Sequence, residues 1–146
     1  MTIRVLVADD QAMIRGALAG LLNLERDIEV VAQAADGVQA LEELTRLARH
    51  DASLDAKPTS SARPVSPADV AIIDIEMPHM DGITATEAIR ARFPGVRVLI
   101  VTTFGRPGYL QRALDAGATG FMVKNAPVEA LAEGVRTLAA GGRAID

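Results

Sequence analysis

Five short apolar runs recur along the chain: IRVLVA (3–8), IEVVAQA (28–34), VAIIDI (70–75), VRVLIV (96–101) and ATGFMV (118–123). Each is short for a helix and reads as a strand, and the first, ending in Asp9 and Asp10, reads as one buried on both faces, as in a parallel sheet. Between the runs lie segments with the helical period. Ile14, Leu18, Leu21 and Leu22 mark 12–24; Val38, Leu41, Leu44 and Leu47 mark 38–48. Two more helices fit 83–92 and 107–116, the second with Pro107 in its first turn and Gly117 as its stop. Pro127 opens a last helix that turns Val128, Leu131, Val135 and Leu138 inward and ends at Gly141-Gly142. Strand and helix alternating in this way predict right-handed βαβ units, hence an α/β fold with one parallel sheet covered on both faces. The expected strand order is 2-1-3-4-5, a doubly wound (βα)5 sheet.

The chain has 146 residues, the size of one domain able to bury a proper core. One stretch breaks the alternation. HDASLDAKPTSSARPVSPAD, residues 50–69, holds three prolines and four serines and almost nothing large and apolar. It is expected to be a flexible insert, long for a connection in such a domain.

Composition removes several function classes. A formal net charge of −4 argues against a grip on nucleic-acid phosphates. With no cysteine there is no disulfide and no thiolate or zinc–cysteine site. His50 and His79 are too far apart for helical metal-ligand spacing. The N-terminal MTIRVLVADD enters a strand directly and does not resemble a signal peptide. No apolar stretch approaches the ~20 residues of a membrane span. A cytoplasmic protein without membrane contact is the expectation.

In an open parallel sheet, ligands bind beyond the carboxyl ends of the strands, where the strand order reverses. The first run ends in Asp9 and Asp10, the third carries Asp74, the fourth meets Thr102 and the fifth Lys124. The expected order makes the first and third strands neighbours at the reversal, so Asp9, Asp10 and Asp74 converge. Three carboxylates in one crevice repel unless a cation compensates them or one takes up a proton. Oxygen-only ligands suit a hard ion, Mg2+ in particular. Lys124 adds a point charge and Thr102 a hydroxyl. An acid, a divalent cation, a lysine and a hydroxyl together suit phosphoryl transfer onto a carboxylate. Each residue alone is uninformative, since an acidic pair often caps a helix and a strand-end threonine often belongs to a turn. The set is informative because four strand ends each supply what one reaction needs.

ADD (8–10), DIEMPHMDG (74–82), VTTF (101–104) and GFMVK (120–124) together resemble the receiver domains of two-component response regulators. The match runs over the chain apart from the insert. ADDQAMIRGALAGLLNLERDIEVV, TTFGRPGYLQRAL and GFMVKNAP resemble the NarL/LuxR class, and TTFGRPGYLQRA is similar to the DesR type that regulates membrane-lipid fluidity. The resemblance implies a flavodoxin/CheY-like fold with Asp74 as phospho-acceptor. It implies Mg2+ held by Asp9, Asp10, Asp74 and the backbone carbonyl of Glu76. Thr102 would be the switch hydroxyl, Phe121 the switch aromatic and Lys124 the contact to the phosphate. Glu76, Thr103 and His79 flank the site and would tune it. The implied partners are a sensor histidine kinase and, on phosphorylation, a second copy docked through the first and fifth helices. Full-length members of the class carry a C-terminal helix-turn-helix, which these 146 residues do not include.

Three positions depart from the family pattern. The insert replaces a connection of a few residues, His79 stands where glycine is frequent, and Asn125 follows Lys124 where many receivers have proline. Other readings compete. An aspartyl-phosphate phosphatase would want Asp-x-Asp after its first strand. A nucleotide-binding module would want a glycine-rich phosphate loop, and neither G-x-G-x-x-G nor G-x-x-x-x-G-K occurs. A pseudo-receiver would lack part of the residue set.

Overall fold

The computed structural model describes residues 2–54, 66–103 and 108–145, and the side chains of all of these but 50–54. The elements run β1 (Ile3–Ala8), α1 (Ala12–Asn23), β2 (Ile28–Ala34), α2 (Gly37–Leu54), β3 (Val70–Asp74), α3 (Gly82–Arg92), β4 (Arg97–Thr102), α4 (Tyr109–Ala116), β5 (Gly120–Val123), α5 (Val128–Ala139) and β6 (Ala144–Ile145). The strands form one sheet in the order β2-β1-β3-β4-β5-β6, with each neighbouring pair parallel. The predicted order is therefore present, extended at one edge by an unforeseen sixth strand.

Alternate residues of each central strand feed opposite cores. Leu6, Ile73 and Ile100 face α2, α3 and α4, where Leu41, Leu44, Leu47 and Ile89 meet them. Val5, Val7, Ile72 and Leu99 face α1 and α5, against Leu22, Leu131, Val135 and Leu138. This two-sided burial is why the central runs are nearly continuous in apolar residues, whereas the edge strand β2 leaves Glu29 and Gln33 exposed. Each fully buried Leu, Ile or Val side chain contributes about 1.5–3 kcal/mol relative to exposure.

Several helical positions differ from the periodicity reading. Ile14 and Leu21 are exposed, and Ala19 joins Leu22 in packing α1 onto the sheet. Val38 is exposed, while Leu41, Leu44 and Leu47 are buried as expected. On α5, by contrast, Leu131, Val135 and Leu138 are buried as the periodicity expects. The helix read as 38–48 runs on to Leu54, so the first part of the supposed insert is helical. At its other end the chain is tied down, with Asp69 Oδ2 accepting the Arg4 amide at 2.8 Å and Ala68 buried. Residues 55–65 of that stretch, the His50 side chain, Phe104 and Pro107 lie outside the described residues. No helix among the described residues is long and apolar enough to cross a membrane.

Candidate functional site: an acidic crevice bridged by a lysine

The carboxyl ends of β1, β3, β4 and β5 meet in a crevice of about 230 Å3 lined by Asp10, Gln11, Asp74, Glu76, Thr102, Thr103 and Lys124. The topology dictates this convergence, because the chain leaves β1 toward one face and β3 toward the other. Asp9 and Asp74 are 1% and 5% exposed, whereas Asp10 is open to solvent. One oxygen from each of Asp9, Asp10 and Asp74 lies within 4.8 Å of the others.

Burying two carboxylates side by side is costly without a counter-charge. Lys124 supplies it: its Nζ is 2.8 Å from Asp9 Oδ2 and 3.1 Å from Asp74 Oδ2. Its backbone amide donates to the Thr102 carbonyl at 2.8 Å, which fixes the end of β5 to the end of β4. Burial pushes the Asp74 carboxyl above the usual carboxylate range; the Lys124 ammonium opposes this, and the Asp9 and Asp10 charges add to it. Burial also works against the Lys124 charge, but its contacts with Asp9 and Asp74 outweigh that and raise its pKa. The pair is thus a cation held between two acids, one of which resists ionisation.

Asp9 is immobilised from several directions. Its amide donates to Ala34 at 3.0 Å, and its Oδ1 accepts the Gln11 amide at 2.9 Å. The Arg15 guanidinium, one turn into α1, donates to its carbonyl at 2.7 Å. Glycine at 82 is required by closeness: a Cβ there would overlap the Asp74 carbonyl. Asp81 caps α3 by accepting the Thr84 amide at 2.8 Å, which sets the exit of the β3–α3 loop.

Among the described residues, three carboxylates facing one ammonium leave an excess of two negative charges when all are ionised. Hard oxygen donors with that charge deficit fit a divalent cation of the Mg2+ type, which takes one or two carboxylates and completes its shell with water and phosphate oxygens. Asp10 offers the most accessible oxygens and Asp9 and Asp74 the fixed ones.

The remaining expected residues divide. Thr102 is buried at the crevice floor, with Thr103 exposed beside it. The Glu76 carboxylate is exposed and accepts a hydrogen bond from the Tyr109 hydroxyl of α4 at 3.3 Å. Phe121, the switch aromatic that the resemblance implies, is 5% exposed and packed in the core on the α2–α4 face. His79 does not reach the crevice; its Nδ1 lies 2.8 Å from Asp36 Oδ2. No described peptide bond is cis, including the one after Lys124.

Sequence reasoning passed over Arg15, Asp36 and Tyr109. Arg15 carried a signal, since a cation in the first turn of a helix opposes the helix dipole and asks for another purpose. Tyr109 is the only tyrosine in the chain. Asp36 read only as turn punctuation.

The comparisons agree with this geometry. The family model described as the response regulator receiver domain matches residues 5–136. Among curated relatives, the transcriptional regulatory protein DesR and the uncharacterized transcriptional regulatory protein YvfU, both of Bacillus subtilis, are each 38% identical over 141 residues. Those matches take in 97% of this chain but 60% and 61% of the relatives, so the chain spans about three fifths of their length. Among solved structures, the receiver domain of the putative regulator NarL from Mycobacterium tuberculosis is 29% identical with a TM-score of 0.79, covering 96% of this chain and 98% of that one. A LuxR-family DNA-binding regulator from Staphylococcus aureus is 28% identical with a TM-score of 0.76, covering 94% and 98%. The chain belongs to the response regulator receiver family, with relatives of the NarL/LuxR type.

Proposed function

We propose that this receiver is a phosphorylation switch in which Asp74 accepts a phosphoryl group from a sensor histidine kinase. The observation that carries the reading is Lys124 held between Asp9 and Asp74, with Asp10 open at the mouth. A carboxylate oxygen of Asp74 attacks phosphorus; the P–O bond forms as the donor's P–N bond breaks, and the departing imidazole takes up a proton. Mg2+, when bound, supplies positive charge beside the phosphoryl oxygens. Asp9, Asp10, Asp74 and the Glu76 carbonyl are the residues that would hold it.

Lys124 meets the phosphate once the charge on Asp74 is esterified, and the Thr102 hydroxyl donates to another of its oxygens. The group adds about −1.5 to −2 charges at one point. Reversing a 1:99 equilibrium to 99:1 requires about 5.5 kcal/mol in favour of the active state. Two or three charge-assisted hydrogen bonds are of that order. Because Phe121 is already buried, the switch runs through Thr102, Lys124 and the loops that follow β4 and β5 rather than through an outward ring swinging in.

The output is association of two copies in the service of transcriptional regulation, the role the names of the relatives DesR and YvfU carry. α1 and its C-cap residue Leu24 expose Met13 (88%), Leu24 (77%), Leu21 (43%) and Ile14 (37%), an apolar surface unusual for a solvated helix. α5 offers the half-buried Ala130 and the exposed Glu133 on its side toward β6, while Leu138 is buried in the core. Incubation with acetyl phosphate and Mg2+ tests the chemistry. Intact mass gains one phosphoryl group in the wild type and none in Asp74→Ala; equal uptake by both would overturn the assignment.

A further inference from the structure

His79 stands at the centre of a three-residue turn closed by the Met80 amide donating to the Pro78 carbonyl at 2.7 Å. Its φ is 66°, the only positive φ at a non-glycine residue among the described residues. Turns of this hand are rare and strained, and glycine adopts the required φ without cost. A residue held in such a conformation persists only where its surroundings determine it. Burial does not do so here, because the His79 side chain is 73% exposed.

The determinant is the β2–α2 junction. Asp36, only 5% exposed, points Oδ2 at His79 Nδ1 across 2.8 Å. Its Oδ1 accepts the Gln39 amide at 2.8 Å and so caps α2, which fixes the carboxylate in place. The next residue, Gly37, donates its amide to the Met80 carbonyl at 3.1 Å, and a Cβ at Gly37 would come within 2.7 Å of Met80 Cγ. Two consecutive residues of one junction thus grip two consecutive residues of the other. The gripped segment is the loop between β3 and α3. Among its other fastenings are the Gly82 amide on the Ile75 carbonyl at 2.8 Å and the Tyr109 hydroxyl on Glu76 at 3.3 Å. Glu76, whose carbonyl is the backbone ligand in the proposed cation site, lies between these fastenings.

We infer that His79 is a positioning residue: through Asp36 it latches the β3–α3 loop in a strained form that presents the Glu76 carbonyl to the divalent cation. The inference rests on the reading of the crevice as a Mg2+-assisted phosphorylation site. A glycine at 79 would fit the turn more easily but leave it free to open. The histidine accepts strain in exchange for a tether to α2.

The test compares wild type with His79→Gly, His79→Asn and Asp36→Asn. Glycine relieves the strain and deletes the tether. Asparagine tolerates positive φ and brings an amide that can donate to Asp36. Asp36→Asn keeps a good helix cap and weakens the tether. Calorimetric titration with Mg2+ alone is expected to give Kd values several-fold weaker for His79→Gly and Asp36→Asn, with His79→Asn close to wild type. Without Mg2+, amide exchange at Gly37 and Met80 is expected to quicken several-fold in the same two variants, while exchange at Ile73 in β3 stays unchanged. Acetyl phosphate labelling of His79→Gly should recover at saturating Mg2+. Equal or tighter Mg2+ binding by His79→Gly, or unchanged exchange at Gly37 and Met80, overturns the latch while leaving the phosphorylation reading intact. A wild-type chain that takes up no phosphoryl group overturns that reading instead.

Discussion

The Lys124 ammonium lies 3.1 Å from the Asp74 carboxylate, and both side chains are nearly closed off from solvent. Among the described residues, the one ammonium at the crevice therefore stands against the acid proposed as phospho-acceptor. This makes the resting site a compromise: Asp74 is buried, resists ionisation and shares its cation with Asp9.

That compromise is measurable as stability. Burial raises the folded-state pKa of Asp74, so folding disfavours its ionised form and the penalty is fully present above that pKa. Asp74→Asn is expected to stabilise the metal-free protein at neutral pH, by on the order of 1 kcal/mol. As pH falls through the Asp74 pKa, the wild type gains a proton and the difference closes. Urea unfolding at a series of pH values checks both the sign and the convergence.

Removing the cation should have the opposite effect. Lys124→Met leaves Asp9 and Asp74 buried together without the ammonium between them, and breaking such a pair costs about 3–5 kcal/mol. Thermal unfolding at neutral pH should show a large loss, reduced in acid as Asp74, whose pKa burial raises, takes up a proton. The folded-state pKa of Lys124 is raised, so the wild type keeps the pair's contribution below the ordinary lysine pKa and loses it as pH rises past the folded value.

A divalent cation should recover part of what is missing. A ligand that binds only the folded state stabilises it by RT ln(1 + [L]/Kd), about 1.4 kcal/mol at ten times Kd. Mg2+ is expected to raise the Tm of the wild type, and Asp10→Asn is expected to lose most of that rise while barely changing the metal-free Tm, since Asp10 is exposed.

Much of this was legible in the sequence, and the reasons differ by residue. Short, mostly apolar runs alternating with segments of helical period announce a parallel sheet, so β1 to β5 and their order could be read directly. The convergence of Asp9, Asp10, Asp74, Thr102 and Lys124 followed from that order alone. The two-residue β6 was not legible, because it forms only by pairing Ala144 and Ile145 with an edge that folding creates. The tail of α2 was hidden by the polar composition of residues 50–54 and the prolines beyond them. In α1, Ile14 and Leu21 carry the helical period yet face solvent, so periodicity marked an apolar stripe wider than the core uses. His79 stood out by type, but its partner Asp36 is 43 positions away in sequence and could be found only in three dimensions.

The exposed stripe on α1 carries its own prediction. Leu21→Glu places a charge in the middle of that face without disturbing Leu22 beneath it. Sedimentation of the phosphorylated wild type should show a dimer, and the phosphorylated variant should stay monomeric while keeping its Tm within a degree or two. A wild type whose mass does not change on phosphorylation would sink the dimer proposal.

The central claim is that Asp74, and no other acid, receives the phosphoryl group. Borohydride reduces an acyl phosphate to the alcohol, converting the aspartate that carried it into homoserine. After phosphorylation from acetyl phosphate with Mg2+, reduction and peptide mapping are expected to place homoserine at position 74 alone. Homoserine at 9 or 10, or at no position in a chain that has gained phosphoryl mass, would contradict the account.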